Sequence, residues 1–292
     1  MARPRPAFRL PTAADAPMLA GVKKAVRILA VVAVLLVLLL LALPDLAPRF
    51  IFRPEPLESA DPRRWQVPGE EISFAAADGS RLSGWWVPPP DDAAPVVLLV
   101  HGRSGNITTR ADIVRRLAAD GFGVLAFDYR GYGASTGSPS EQALLEDAVE
   151  ARTWLSRQRI RSRRIVIVGQ SLGNPAAAAA AGSRPAAGLV LVSPFTSLPD
   201  AAAARFRPLG WLPWPVNRFE VTEPLVRVTA PVLLVVARDD ETIPRANALA
   251  IRAAVPRAAW IEEEGGHDGL LRRAVASGRL QQFVRTATAR AP

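Results

Sequence analysis

Five short runs of apolar residues, none interrupted by a polar residue, follow one another along the chain. They occupy residues 96–100, 124–127, 165–168, 189–192 and 232–236. Stretches of helical periodicity separate several of the runs, such as residues 140–158, in which apolar residues recur at three- and four-residue spacing. Strands buried on both faces have this unbroken apolar pattern, and helical crossovers make neighbouring strands parallel. The sequence therefore predicts an α/β fold with a mostly parallel central sheet flanked by helices.

The pentapeptide GQSLG, residues 169–173, begins where the third run ends. It has the pattern G-x-S-x-G and precedes an alanine-rich stretch that favours a helix. A sharp strand-to-helix turn of this kind exposes the central serine, Ser171, above the edge of the sheet, and the glycines leave room for the crossing. Because a structural glycine-rich turn can have the same pattern, its meaning depends on the residues that accompany it.

A serine hydroxyl needs a base to act as a nucleophile, and the base needs an acid that orients it. Histidine is the residue type whose ordinary pKa lies near neutrality, and the chain contains only His101 and His267. His267 lies in a glycine-rich loop near the C-terminus, and two adjacent carboxylates, Asp239 and Asp240, follow the last of the five runs. Both loops leave the carboxyl ends of predicted strands, where open parallel sheets present their sites.

A third loop, residues 101–106, follows the first run and reads HGRSGN. Its glycines allow backbone N–H groups to point at a ligand, and the helix after Ser171 favours negative charge at its N-terminus. We expect the backbone N–H groups of Arg103 and Leu172 to form an oxyanion hole. His101 is expected to organise this loop rather than to react. The Arg103 side chain is interpreted as a solvated charge or, alternatively, as a group that attracts an acidic substrate.

Composition narrows the chemistry further. Cysteine is absent and histidine occurs twice, which excludes disulfides, thiolate metal sites and histidine-rich metal centres. We expect no metal and no cofactor. The net charge of +9 comes almost entirely from arginine spread along the chain, without a dense basic stripe interleaved with aromatic residues. The sequence therefore does not predict a nucleic-acid partner.

Sixteen consecutive apolar residues occupy positions 28–43. With a helical rise of about 1.5 Å per residue, this run and its flanks cover most of a hydrocarbon core about 30 Å thick. The sequence predicts a transmembrane helix over 23–44, with a cleaved signal peptide as the alternative. Six basic residues precede the run, which predicts a cytoplasmic N-terminus and an extracytoplasmic catalytic domain. Residues 1–22, rich in proline, alanine and arginine, are expected to be a disordered tail.

The rest of the chain is expected to comprise a proline-rich linker, 45–68, and one domain, 69–292. A hairpin that turns at Asp78 and Gly79 opens this domain. An insertion at about 197–224 is rich in tryptophan and proline over 206–224, which suits neither a regular helix nor a strand. It is interpreted as a lid over the site or, equally, as a surface excursion that packs its own tryptophans.

Six segments of sequence occur in the order typical of one family. They are LLVHGRSGNI (98–107), FDYRGYGASTGSPSE (127–141), GQSLG (169–173), SPFTSL (193–198), DDETIP (239–244) and GGH (265–267). From about Glu71 to the C-terminus the chain resembles an α/β-hydrolase. It is most similar to the membrane-anchored serine hydrolases that include lysophospholipid lipases and protein depalmitoylases.

This resemblance implies a triad in which Ser171 is the nucleophile and His267 the base. It also selects Asp240 rather than Asp239 as the acid, because the family's acid precedes an x-x-hydrophobic-Pro sequence. The resemblance further implies the α/β-hydrolase fold with a short lid-like insertion. Three residues depart from the family's usual small, amide or glycine residues, namely Arg103, Asn174 and Ala237.

We therefore expect a membrane-anchored serine hydrolase that cleaves carboxylic esters or thioesters through an acyl-enzyme. Its substrate is expected to be a small molecule or an acylated, lipid-like compound. A serine peptidase or amidase of the same fold is the alternative, and a non-catalytic membrane-tethered binding protein is the alternative of another class. Arg130, in the DYRGYG sequence, is expected to tie loops together rather than to bind substrate.

Overall fold

The computed structural model describes residues 27–32, 34, 48–205 and 218–291. The chain divides into two compact units, Met1–Ala47 and Pro48–Pro292. The described residues of the first unit are helical and exposed. Across the described ranges, no helix combines the length and the apolar character that crossing a bilayer requires. The predicted tail, 1–22, and most of the predicted transmembrane helix, 23–44, lie outside these ranges.

The second unit is built on one large sheet and one short pair of strands. The strands are β1 (Arg53–Pro54), β2 (Glu70–Ala75), β3 (Arg81–Val87), β4 (Val96–Val100), β5 (Ser104–Gly105), β6 (Gly123–Phe127), β7 (Ile165–Gln170), β8 (Gly188–Val192), β9 (Val232–Ala237) and β10 (Ala259–Glu263). The large sheet has eight strands in the order β10-β9-β8-β7-β4-β6-β3-β2, and β1 pairs with β5.

Six neighbouring strands of this sheet, from β10 to β6, run parallel to one another. β3 joins β6 in antiparallel orientation, and β2 forms the predicted hairpin with β3. Gly79 at the turn has a φ of 84°, a left-handed conformation that favours glycine. The expectation of a mostly parallel central sheet is confirmed, and the predicted hairpin lies at one edge of it.

Helices cover both faces of the sheet. They include α1 (Ala111–Ala119), α2 (Glu141–Arg157), α3 (Gly173–Ser183), α4 (Leu198–Arg205), α5 (Thr222–Val226), α6 (Arg245–Ala254), α7 (Leu270–Ala276) and α8 (Arg279–Arg290). Successive residues of β4 enter opposite cores: Leu98 packs in the cluster that contains α2 and α3, and Leu99 in the one that contains α1, α7 and α8. Both faces being buried explains why the predicted strands have no polar alternation.

The polar stretch 45–68 enters the compact unit from Pro48 onward. Phe52, Ala60 and Val67 are buried in its cores, and Phe52 packs edge-on against Phe219. Of the predicted insertion, 197–224, the structure describes α4 and the residues from 218 onward, whereas 206–217 lie outside the described ranges. The lid interpretation therefore stays a prediction.

Candidate active site

Ser171 occupies the turn between β7 and α3 with a backbone φ of 50°. A non-glycine residue in this conformation costs roughly 1–3 kcal/mol, which the surrounding structure must offset. The Ser171 amide donates to the carbonyl oxygen of Val192 at 2.8 Å. The turn requires its glycines, because a Cβ at Gly169 would lie 2.6 Å from a side-chain carbon of α3, and one at Gly173 would lie 2.4 Å from the carbonyl oxygen of His101.

The second part of the site is a histidine–carboxylate pair. Nδ1 of His267 lies 3.0 Å from Oδ2 and 3.1 Å from Oδ1 of Asp240. Oδ1 of Asp240 also accepts hydrogen bonds from the backbone amides of Thr242 and Ile243, at 2.9 and 2.7 Å. The Asp239 side chain is exposed and makes no hydrogen bond to any residue of the described ranges. Of the two adjacent aspartates, Asp240 is therefore the one that contacts His267.

The environment of Asp240 keeps its carboxyl ionised. Burial alone would raise the pKa of Asp240, but the hydrogen bonds from His267 and from the Ile243 and Thr242 amides outweigh burial and hold that pKa below its usual value. A carboxylate at Nδ1 keeps the proton on that nitrogen and leaves Nε2 of His267 free to accept one. The side chains are 13% exposed for His267 and 2% exposed for Asp240, so bulk water screens their interaction little.

Ser171 lies at the same edge of the sheet as this pair, because all three residues follow carboxyl ends of parallel strands. Within the part of the chain that the structure describes, the Ser171 hydroxyl makes no hydrogen bond, to His267 or to any other residue. Hydrogen bonds between a nucleophile and its base often tighten only when substrate is bound. The structure thus gathers the three predicted residues at one edge and joins two of them directly.

The two backbone amides expected to form an oxyanion hole have no acceptor among the described residues. In each case the carbonyl of the same peptide unit is held from the other side. Nδ1 of His101 lies 2.7 Å from the carbonyl oxygen of Gly102, whose peptide unit carries the Arg103 N–H. The Asn174 amide donates to the Ser171 carbonyl at 2.9 Å, and that peptide unit carries the N–H of Leu172. Because C=O and N–H point in opposite directions in a planar trans peptide, both N–H groups face away from these contacts.

Two tyrosine hydroxyls hold the rest of the loop. Tyr129 donates to the carbonyl of His101 at 2.7 Å, and Tyr132 donates to that of Arg103 at 2.8 Å. Both rings pack on the buried His101 ring, with centroids 4.4 and 5.3 Å away. Nε2 of His101 lies 3.4 Å from Oδ1 of Asp128, whose pKa is raised by burial. These contacts place His101 in the support of the loop, as the sequence analysis expected.

Arg130 and Asn174 also have defined contacts. Arg130 forms ion pairs with Asp147, Glu146 and Asp78, at 2.7, 2.8 and 3.0 Å, and so ties α2 to the hairpin turn. Asn174 is fully buried, and its side-chain amide donates to the carbonyls of Val192 and Ser193 at 3.0 and 3.2 Å. This contact joins the start of α3 to the end of β8.

Sequence reasoning missed two residues that shape the site. They are Tyr129 and Tyr132, whereas Asn174 was named only as a departure from the family's pattern. The two tyrosines lie in a segment quoted for the family resemblance, but nothing in their spacing indicates which carbonyls they bind. Within the described ranges, no group of histidine and acidic side chains is placed to hold a metal ion.

Comparison with solved structures and with known sequences identifies the family of this chain. The esterase Pf2001 of Pyrococcus furiosus superposes with a TM-score of 0.66 at 19% identity, over 81% of this chain and 97% of that one. A sequence profile described as "Serine aminopeptidase, S33" matches residues 91–225. The uncharacterized protein Rv2307c of Mycobacterium tuberculosis is 37% identical over 207 residues, which are 68% of this chain and 73% of that protein. The chain belongs to the α/β-hydrolase family.

A further α/β-hydrolase relative is the lysophosphatidylserine lipase ABHD12 of Danio rerio. It is 33% identical over 181 residues, which are 55% of this chain and 47% of that protein. The predicted resemblance to α/β-hydrolases is confirmed. Of these relatives, Pf2001 is an esterase and ABHD12 is a lipase.

Proposed function

We propose that this α/β-hydrolase is a serine hydrolase that cleaves carboxylic esters or thioesters through an acyl-enzyme at Ser171. The observation that carries the proposal is the hydrogen-bonded pair of His267 and Asp240 at the sheet edge where Ser171 occupies a strained turn. The amides of Arg103 and Leu172, which have no acceptor among the described residues, supply the expected oxyanion donors.

The proposed reaction has two steps, formation of the acyl-enzyme and its hydrolysis. Oγ of Ser171 attacks the acyl carbonyl carbon while Nε2 of His267 takes the hydroxyl proton, and Asp240 stabilises the resulting imidazolium. The bond to the leaving group then breaks, and the leaving alkoxide or thiolate takes that proton. Water, activated by His267, next attacks the acyl-enzyme, which releases the acid and restores Ser171.

Membrane attachment through residues 23–44 is part of the proposal and rests on the apolar run of the sequence. The basic residues before that run favour a cytoplasmic N-terminus, so we propose that the hydrolase domain lies on the extracytoplasmic side. Tagging the protein at each end and treating intact cells with protease tests this arrangement. A C-terminal tag that is protected in intact cells contradicts the proposed orientation.

A fluorophosphonate probe, which reacts with activated serines, tests the proposed nucleophile. We expect the wild-type chain to be labelled and Ser171→Ala not to be labelled, while Ser193→Ala, which changes a serine after the neighbouring strand, keeps its labelling. Labelling that survives in Ser171→Ala would overturn the assignment. Wild-type protein that is folded but never labelled would favour the non-catalytic binding protein.

A serine peptidase or amidase is the second candidate, and the profile described as a serine aminopeptidase favours it. The same acyl-enzyme chemistry serves both classes. A panel of acyl esters, acyl thioesters and aminoacyl amides with matched leaving groups separates them. Amides turned over faster than esters of equal acyl chain would establish the peptidase.

A further inference from the structure

A cavity of about 360 Å³ opens beside the candidate active site. Three loops of the site line this cavity. Each loop contributes the residue that is adjacent in sequence to a predicted functional residue. These residues are Ser104, which follows Arg103, Gln170, which precedes Ser171, and Asp268, which follows His267. The cavity therefore adjoins the three loops that carry the candidate site.

Arg110, just before α1, lines the same cavity. Its Nε donates to Oε1 of Gln170 at 3.1 Å, and its Nη1 donates to the hydroxyl of Thr109. Three of the five guanidinium N–H donors then remain for a ligand. Within the described part of the chain, Arg110 forms no ion pair with a carboxylate.

The surroundings of the Arg110 guanidinium disfavour a charge that has no ion-pair partner. Arg110 is partly buried, and burial lowers the pKa of its guanidinium, as does the neighbouring charge of Arg272. Arg272 is itself neutralised, because it pairs with Asp112, and it donates to the carbonyl of Thr109 at 3.0 Å. The charges of Asp112 and Asp128 raise the pKa of Arg110, but neither carboxylate forms an ion pair with it. A partly desolvated cation that forms no ion pair attracts an anion more strongly than a solvated one does.

The two carboxylates that also line the cavity do not provide an ion-pair partner for Arg110. Glu55 and Asp268 are exposed, and neither forms an ion pair with Arg110. The charge of Asp268 acts instead on Arg103. Burial and the charge of Arg53 lower the pKa of the Arg103 guanidinium, and the charge of Asp268 raises it. Arg53 and Arg103 form no ion pair with any residue of the described ranges either.

We propose that the cavity binds an anionic group of the substrate, a phosphate or a carboxylate, through the guanidinium of Arg110. The inference rests on the proposed function and specifies its substrate class as acyl esters that carry a negative charge near the scissile carbonyl. Planar guanidinium groups bind both anions with paired hydrogen bonds, so the geometry of the ligand decides between them.

The test uses three esters with the same hexanoyl chain, those of glycerol, glycerol 3-phosphate and glyceric acid, at concentrations where they are monomeric. The full-length chain is compared with Arg110→Gln, and Arg116→Gln on the exposed face of α1 is the control. In the wild type we expect kcat/KM to be about 10-fold or more higher for at least one charged ester than for the neutral one. The preferred ester identifies the anion as phosphate or carboxylate.

In Arg110→Gln we expect kcat/KM for the preferred charged ester to fall about 10- to 100-fold, the usual worth of a charge-assisted hydrogen bond. The neutral ester and fluorophosphonate labelling should change less than about threefold, as should every substrate with Arg116→Gln. A wild type without charge preference overturns the inference, and so does an equal loss for all three esters.

A separate measurement keeps this result distinct from failure of the proposed function. If the wild type hydrolyses none of the esters, calorimetric binding of the uncleaved charged ester is compared between the wild type and Arg110→Gln. Binding that is lost in the variant supports the anion site without esterase activity. Binding that is equal in both proteins overturns it.

Discussion

The side-chain amide of Asn174 donates a hydrogen bond to the backbone carbonyl of Val192 at 3.0 Å. The same carbonyl accepts the Ser171 amide at 2.8 Å, and Asn174 also reaches the carbonyl of Ser193. One buried side chain at the start of α3 is therefore tied to the end of β8, beside the strained serine. Ser193 has a φ of 47°, so two residues in the left-handed region lie at this junction.

Replacing Asn174 by leucine, which has a similar volume, should remove both hydrogen bonds and leave the Ser193 carbonyl buried. We expect the free energy of unfolding to fall by about 1–3 kcal/mol, because an unsatisfied buried polar group keeps its desolvation cost. Denaturant titration measures the loss. Gln282→Leu on the exposed face of α8 should change stability by less than about 0.5 kcal/mol. Equal effects of the two substitutions would show that the Asn174 contacts contribute little.

His101→Phe should weaken the oxyanion hole with little effect on substrate binding. The phenyl ring keeps the packing against both tyrosines but cannot donate to the Gly102 carbonyl, so the Arg103 N–H loses its orientation. We expect kcat to fall on the order of 10- to 100-fold with KM nearly unchanged. Tyr132→Phe is the matched control, since its hydroxyl holds the peptide unit of Ser104, which carries no expected donor. A larger loss of kcat in Tyr132→Phe than in His101→Phe would refute the assignment.

Asp240→Asn should leave the fold intact and lower kcat by about 10³- to 10⁴-fold, because a neutral amide neither fixes the imidazole tautomer nor stabilises the imidazolium. Since the pKa of Asp240 lies below its usual value, the carboxylate is ionised throughout the neutral range, and the wild type should not lose activity there through Asp240. Asp239→Asn, one residue away and exposed, should keep activity within about twofold. Steady-state kinetics with any turned-over ester distinguishes the two aspartates, and a deficit in Asp239→Asn alone would reverse their roles.

Arg130→Met should destabilise the fold in a manner that depends on pH. Asp147 is fully buried against Arg130; burial raises the pKa of Asp147 to about 6, and the hydrogen bonds and charge of Arg130 oppose that rise. Without the arginine we expect a loss of about 3–5 kcal/mol at pH 8, because a buried carboxylate is left unpaired.

The loss in Arg130→Met should shrink as the pH falls from 8 towards 5. In the folded variant the pKa of Asp147 is higher than in the unfolded chain, so the folded state binds more protons. The stability of the variant therefore decreases as the pH rises through that range. Denaturant titrations across the interval measure the trend. The exposed pair of Arg116 and Asp120 provides the control, since Arg116→Met should cost less than about 1 kcal/mol at every pH. A penalty for Arg130→Met that does not vary with pH would contradict this account.

The central strands could be predicted from sequence because burial on both faces leaves a local signal. The run 96–100 coincides with β4, and the run 189–192 lies within β8. The contacts of Asn174 could not be predicted in this way, because its acceptors lie 18 and 19 residues further along the chain. A helix-starting asparagine before a proline carries no indication of such partners. The cavity at Arg110 is equally non-local, since its wall combines loops from four parts of the chain.

The linker predicted over 45–68 rests on composition alone. Proline and polar residues are typical of connectors, but they are also compatible with an edge strand that pairs over only two residues. β1 is such a strand, and its pairing with β5 depends on a partner loop about fifty residues away. Local sequence carries no information about that partner.

This short ladder has a practical consequence for shortened forms of the protein. The Arg53 amide donates to the carbonyl of Arg103 at 2.9 Å, and the Glu55 amide donates to that of Gly105 at 3.3 Å. A fragment that begins at residue 69 would lack these donors and would leave one side of the loop at Arg103 unsupported. Such a fragment could keep the large sheet, fold cooperatively and still be a poor guide to turnover. Biochemical work on an isolated domain should therefore start no later than Pro48, where the compact unit begins.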